Sequence, residues 1–189
     1  MKKTVYHAAG RSGKRRGAAA LAIAALGFLA ACAAPDRLAE VVPTPGHRDV
    51  TAMISSKAML APSRMDGPWH VTGRFPAPAG ACVPERFTFA PGRLSLRCTG
   101  QGAGDTISAP LAYQGLGRYQ ADFGAGTGMP SDLWVLWADE GYRTAVIGMP
   151  GGEAGWIIDR EPGSSADRQA AAREVLLFNG YRAAPLGPP

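Results

Sequence analysis

The side chains with most chemistry to offer are three cysteines, Cys32, Cys82 and Cys98, and three histidines, His7, His47 and His70. A cysteine sulfur can attack a carbonyl, ligate a metal, pair with a second sulfur or carry an acyl group, and its surroundings decide which. Nucleophilic and metal chemistry need a base or further ligands close by, and the histidines are scattered singly along the chain. Gly-x-Ser-x-Gly, His-Glu-x-x-His and Cys-x-x-Cys are all missing. The Gly-x-Gly-x-Gly runs at 100–104 and 124–128 do not join a strand to a helix, so they read as flexible loops and not as phosphate cradles. These residues point to no catalytic constellation, no cofactor and no metal site.

Charge sorts the chain into two parts. Its 189 residues carry 20 Lys+Arg against 15 Asp+Glu, a formal +5. Lys2, Lys3, Arg11, Lys14, Arg15 and Arg16 fall within residues 1–31, where no acid occurs; the remainder then holds 14 basic and 15 acidic residues, a net of −1. The basic residues after position 31 form no patch of the kind nucleic-acid binding needs. A basic stretch leading into the apolar block Gly17–Ala31 has the plan of a secretory signal peptide over 1–31, and the block is short for a span of ~20 apolar residues.

That block ends Leu29-Ala30-Ala31-Cys32, which resembles the signal of bacterial lipoproteins. The resemblance implies cleavage before Cys32 and acylation of its sulfur and new amino terminus. One acyl chain anchors only marginally at ~0.8 kcal/mol per buried CH₂, whereas several anchor durably. Ala33, and not Asp, follows the cysteine, which by the family's sorting rule favours the outer membrane, lipid-anchored on its periplasmic side. Arg15-Arg16 is followed by Gly17-Ala18-Ala19, where a twin-arginine signal expects bulky apolar residues.

In an exported protein a disulfide between Cys82 and Cys98 is the default, worth roughly 3 kcal/mol for a loop of this size on the chain-entropy model. A free catalytic or metal-binding thiol is the rival.

The elements that would position these groups follow from pattern. Residues 32–65 carry Pro35, Pro43, Pro45 and Pro62 with scattered charges, a composition suited to a tether, with Val50–Leu60 either a short helix or a segment lying on the domain. From 66 to 163 short β-like runs alternate with turn residues: Trp69–Phe75, Arg86–Phe89, Leu94–Thr99, Thr106–Gln114, Arg118–Phe123, Leu133–Ala138, Arg143–Met149 and Gly155–Arg160. Eight evenly spaced strands with short connections predict an all-β, up-and-down antiparallel barrel, which closes and so has no exposed edge. Within 164–181, Ser164-x-x-Asp167 resembles a capping box, Ala172, Val175, Leu176 and Asn179 share a helical face, and Gly180 is a natural stop. One helix over 165–179 is expected outside the barrel, then a tail, 182–189, whose last seven residues are expected to fray.

Three separated signatures resemble the lipocalin family. Asp66-Gly67-Pro68-Trp69-His70-Val71 resembles its Gly-x-Trp opening strand. Ala138-Asp139-Glu140-Gly141-Tyr142-Arg143 resembles its Thr-Asp-x-x-Tyr loop, with Ala in the Thr position. Trp156-Ile157-Ile158-Asp159-Arg160 resembles its third motif, where an Arg ends the last strand. The likeness is greatest to bacterial outer-membrane lipocalins related to apolipoprotein D, which also carry Arg-Phe-Pro near the end of the first strand, as at Arg74-Phe75-Pro76. It implies that Gly67, Trp69, Asp139, Tyr142 and Arg160 close one end of the barrel, with Arg160 stacked on the Trp69 indole for ~0.5–2 kcal/mol.

An eight-stranded barrel has room for one small ligand. Period-two alternation from Arg160 turns Trp156 and Ile158 inward, and Phe87 with Phe89, and Leu94 with Leu96 and Cys98, form further inner faces. Leu133–Trp137 is apolar on both faces, so Trp134 or Trp137 is the inward one. The lining Phe87, Phe89, Leu96, Trp134, Trp156 and Ile158 suits a fatty acid or lysophospholipid. A barrel filled solid by the same side chains, working through protein contacts, is the alternative. If Cys32 is the anchor, Cys32→Ser releases the protein from membranes; continued fractionation with them refutes the anchor.

Overall fold

The computed structural model describes residues 46–99, 105–124, 127–182 and 184–188. The signal peptide over 1–31, Cys32, the first part of the tether and the glycine run at 100–104 lie outside the described residues. Eight strands follow one another: β1 (Gly67–Arg74), β2 (Val83–Ala90), β3 (Arg93–Thr99), β4 (Thr106–Gly115), β5 (Arg118–Ala121), β6 (Asp132–Ala138), β7 (Thr144–Gly148) and β8 (Gly155–Asp159). Each pairs antiparallel with the next, and β8 pairs back onto β1, so the sheet is a closed barrel. One helix, α1 (Ala166–Phe178), packs on the outside of β6, β7 and β8.

β2 begins at Val83, earlier than its apolar pattern suggests, and includes Pro84. Proline is tolerated there because β1 pairs only with 86–89, leaving the Pro84 nitrogen without a ladder partner on that side. A bulge between Val135 and Trp137 in β6 breaks the in-out alternation. Leu133, Val135 and Ala138 point into the barrel, while Trp134, Leu136 and Trp137 join the outer core beneath α1.

The helix starts one residue later than its capping pattern suggests. Ser165, and not Ser164, is the cap, its hydroxyl accepting from the Arg168 N–H. Ala172 and Leu176 are buried against Phe75, Val146 and Ile157, in an outer core continuous with Tyr181 and Leu186. The tail does not simply fray, because Gly187 exchanges two backbone hydrogen bonds with Arg74. Residues 46–65 lie on the domain with no α-helix: Lys57 N–H donates to Val135 O, and a 3₁₀ turn at Pro62–Arg64 brings Leu60 and Met65 into the inner core.

At the end where β1 begins, the family-like residues assemble. Trp69 is fully buried, and its Nε1–H donates to Met65 O at 2.7 Å. The Arg160 guanidinium lies 3.8 Å over the indole centroid and donates to Pro68 O at 3.0 Å and Arg64 O at 2.8 Å. Gly67 has φ 98°, and a Cβ there would meet the Arg160 Nη1 at 3.2 Å. Tyr142 sits in the left-handed region at φ 54°, uncommon for a large side chain. Its N–H donates to Asp139 O, and its hydroxyl accepts from the Ala61 N–H at 2.9 Å. The Asp139 carboxylate receives the Arg143 and Thr144 N–H groups at 2.6 and 2.8 Å and pairs with the Arg143 side chain.

The helix is held by a buried carboxylate. Asp159 accepts from Thr144 Oγ1 at 2.5 Å, the Glu161 N–H at 2.9 Å and Arg168 at 3.3 Å. Burial alone would push this carboxyl up, but the hydrogen bonds outweigh it and hold it below its ordinary value. An unfolded Asp titrates near ~3.9, so this stabilisation is whole above that pH and drains away as pH falls through the lower folded value. Unfolding by urea between pH 7 and pH 3 should therefore show stability falling on the acid limb. Asp159→Asn should lower stability at pH 7 and flatten that limb; an unchanged acid slope would exclude Asp159 as its source. Trp69→Ala should cost ~3–5 kcal/mol, as large aromatic truncations do, and a loss under ~1 kcal/mol would mean that Trp69 does not plug the barrel.

Candidate functional site

With one end plugged, the other end of the barrel carries, among the described residues, the loops that join β1 to β2, β5 to β6 and β7 to β8. The inner wall is apolar because the inward positions of all eight strands are. Phe87, Phe89, Leu96, Trp156 and Ile158 share this inner face, with Leu94 and Cys98 beside them. Trp134 does not: it stands outside the barrel with the Arg118 guanidinium 4.0 Å from its ring centroid. The β6 bulge sends Trp137 outward too, so neither indole of that strand lines the interior.

The inner rings touch one another. Phe87 meets Trp156 edge-on at 5.3 Å between centroids and lies 6.3 Å from Phe89. Phe89 is 5.9 Å from Tyr119. Tyr119 is a lining residue that sequence reading did not single out, although alternation along Tyr119, Ala121 and Phe123 carried the signal. Burial pushes its phenol well above the ordinary value, so it stays a neutral hydroxyl at any physiological pH. The buried polar side chains Arg48, Asp139, Thr144, Asp159 and Asn179 hold loops, the lead-in segment and the helix, and none belongs to the inner cluster. The interior offers dispersion and shape, with no charge to bind a phosphate or sugar.

At the mouth, Phe75, Pro76, Ala81, Cys82, Met129, Ala154 and Trp156 enclose a cavity of about 60 Å³. Cys82 and Cys98 form a disulfide that ties the start of β2 to the end of β3, with Cα atoms 5.3 Å apart. A thiol-based reaction in the barrel, the rival reading of these cysteines, is thereby lost; no free thiol occurs among the described residues. The β7–β8 side of the mouth is pinned by Tyr181, whose hydroxyl accepts from the Met149 N–H at 2.7 Å and donates to Ala154 O at 2.9 Å. Burial pushes that phenol up to about 12. An open groove of about 380 Å³ between the β5–β6 and β7–β8 loops carries Asp132 and Glu153, and Glu153 with Arg74 also edges the mouth cavity beside it. Among the described residues no three His, Cys, Asp or Glu gather as metal ligands would.

Comparison with known proteins agrees with this geometry. A family model described as a lipocalin-like domain matches residues 118–188. The fold is similar to that of insecticyanin from the tobacco hornworm Manduca sexta, with 17% identity, a TM-score of 0.54 and coverage of 76% of this chain and 86% of that one. It is also similar to the cockroach allergen Per a 4, at 13% identity and TM-score 0.53 over 74% of this chain and 94% of that one. The bovine lipocalin allergen Bos d 2 is similar at 13% identity and TM-score 0.51, over 68% and 94% of the two chains. No curated protein matches by sequence. The barrel thus has the lipocalin fold, and its segment 118–188 is similar to a lipocalin-like domain.

Proposed function

We propose that this chain is a lipid-anchored bacterial lipocalin that binds or carries one small lipophile, of the fatty acid or lysophospholipid class, at the cell envelope. Cys32 carries the acyl anchor, and the barrel stands on the periplasmic side of the outer membrane. The reading rests on one observation: a barrel plugged at one end, with an inner wall of Phe87, Phe89, Leu96, Tyr119, Trp156 and Ile158, meets at the other end a largely apolar mouth edged by Arg74 and Glu153. Proteins of this fold generally bind small hydrophobic ligands. The anchor and the ligand class are supported by the Leu-Ala-Ala-Cys ending of the leader and by the apolar side chains of the inner wall. Binding, and not catalysis, fits an inner wall of apolar side chains and the Tyr119 phenol, with Arg74 and Glu153 at the mouth.

The size of the mouth cavity sets how such a ligand is received. Ligand pockets commonly run to ~300–1,000 Å³, and 60 Å³ is about the share of two waters in the liquid. An acyl chain must therefore displace side chains. Met129, unbranched and adaptable, is the mouth residue best able to move. The same volume favours the second reading, a filled barrel acting through protein contacts. Native mass spectrometry of the purified chain with palmitate and with lysophosphatidylethanolamine separates the two. One lipid bound per chain is expected; no adduct with either, at lipid concentrations that load other barrels, would leave the filled-barrel reading standing.

A further inference from the structure

Of the seven described large apolar residues that stand exposed, Met59, Tyr113 and Leu116 lie elsewhere, and isolated exposure of that kind is ordinary; the other four gather at one corner. Val50 and Met53 are 41% and 90% exposed, and Leu177 and Phe178 are 48% and 80% exposed. The two pairs flank one crossing, where the lead-in segment passes the C-terminus of α1. There Asp49 N–H donates to Gly180 O at 2.8 Å, Ser55 N–H donates to Asn179 Oδ1 at 2.7 Å, and the buried Arg48 donates to Asn179 O at 2.9 Å. Nothing in the domain's own packing calls for two methionine- and phenylalanine-sized groups standing in water. The anchored reading does.

This corner is on the open end of the barrel. The helix begins beside Thr144 and Asp159, near the plug, and ends where Tyr181 bonds the β7–β8 loop. The described chain starts at the same place: His47 N–H donates to Gly152 O at 2.7 Å, and the His47 ring stacks 4.9 Å from Phe75, which lines the mouth. Gly46 follows Cys32 by fourteen residues, at most ~50 Å of extended chain. Chain of that length bounds how far the barrel can stand from the anchor, and does not by itself select which face meets the membrane. Orientation must come from the barrel.

We infer that Val50, Met53, Leu177 and Phe178 form a membrane-docking surface, which turns the mouth of the anchored barrel toward the bilayer. The inference rests on the anchored lipocalin reading. Seated this way, shallowly inserted apolar side chains replace water contact with acyl contact, and a lipophile passes between bilayer and mouth without crossing bulk water. Met59, 89% exposed, belongs to the plug end with Lys57 and Arg64, whose cations flank the Tyr142 ring, and should stay in water.

The test uses the full acylated chain, extracted from membranes and reconstituted in vesicles of phosphatidylethanolamine and phosphatidylglycerol with brominated acyl chains. Phe178→Trp and, separately, Met53→Trp add one indole at the corner, and Met59→Trp adds one at the opposite end; wild-type emission is the baseline. Bromine should quench the corner indoles at least twofold more than the one at 59. Vesicle-bound protein with equal or no added quenching at 53 and 178 overturns the docking inference and leaves the anchor intact. Protein that stays in the supernatant after vesicle sedimentation overturns the anchored reading, and the docking inference falls with it.

Discussion

The return of β8 onto β1 is the constraint on which the rest of this structure depends. An eight-stranded sheet left open would expose two rows of unpaired N–H and C=O groups. Closure removes them, and the barrel is shut where the closing strands meet. Arg160, just past β8, lies across Trp69 of β1, and its other donors take the carbonyls of Pro68 and Arg64. A guanidinium suits this place because its planar face covers an indole while its edge satisfies carbonyls; a lysine would do neither as well. The stack holds the first and last strands in register and covers the floor of the interior. An apolar lining is stable in water only where such a floor exists.

Much of this was legible in the sequence, for a physical reason. Period-two alternation writes itself into composition whenever one face is dry, so the strands and the inward sense of Trp156, Ile158, Phe87 and Phe89 could be read directly. The family-like residues at 67, 69, 139, 142 and 160 could be placed because a tight turn, a buried indole and a capping guanidinium leave few substitutes. What escaped was whatever depended on local geometry. The β6 bulge sends Trp134 and Trp137 to the same side, and a run apolar on both faces gives no sign of it. β2 starts at Val83 and not at Arg86 because, on the β1 side, the missing N–H of Pro84 has no partner to lose, which the side-chain pattern does not reveal. The Gly187 bridge to Arg74 has no signature at all, since backbone pairing in a tail asks nothing of the side chains.

The lead-in segment shows the same limit. Its prolines and charges suit a tether, yet from Gly46 it is bound to the mouth, the helix terminus, the outer wall and the plug in turn. Arg48 is a charged residue buried by necessity: its three donors serve the carbonyls of Asn179, Pro150 and Ala52, which the crossing would otherwise leave unpaired. The segment spans both ends of the barrel. It ends at Met65, whose carbonyl takes the Trp69 indole N–H, and begins where His47 stacks on Phe75. Floor and mouth are thus linked by one stretch of backbone as well as by the strands.

A well-filled interior changes what ligand binding means for this barrel. In an empty cup the ligand gains the full transfer of its apolar surface, about 25 cal/mol per Å². Here the lining rings already contact one another at 5–6 Å between centroids, so part of that gain is held by the protein alone. Binding is then an exchange of ring–ring contacts for ring–ligand contacts, and affinity follows the difference and not the area buried. On the proposed function the same packing would discriminate by flexibility: a thin, bendable acyl chain could be admitted by moving Met129 and one or two rings, whereas a rigid polycycle of equal area would require them all to move together.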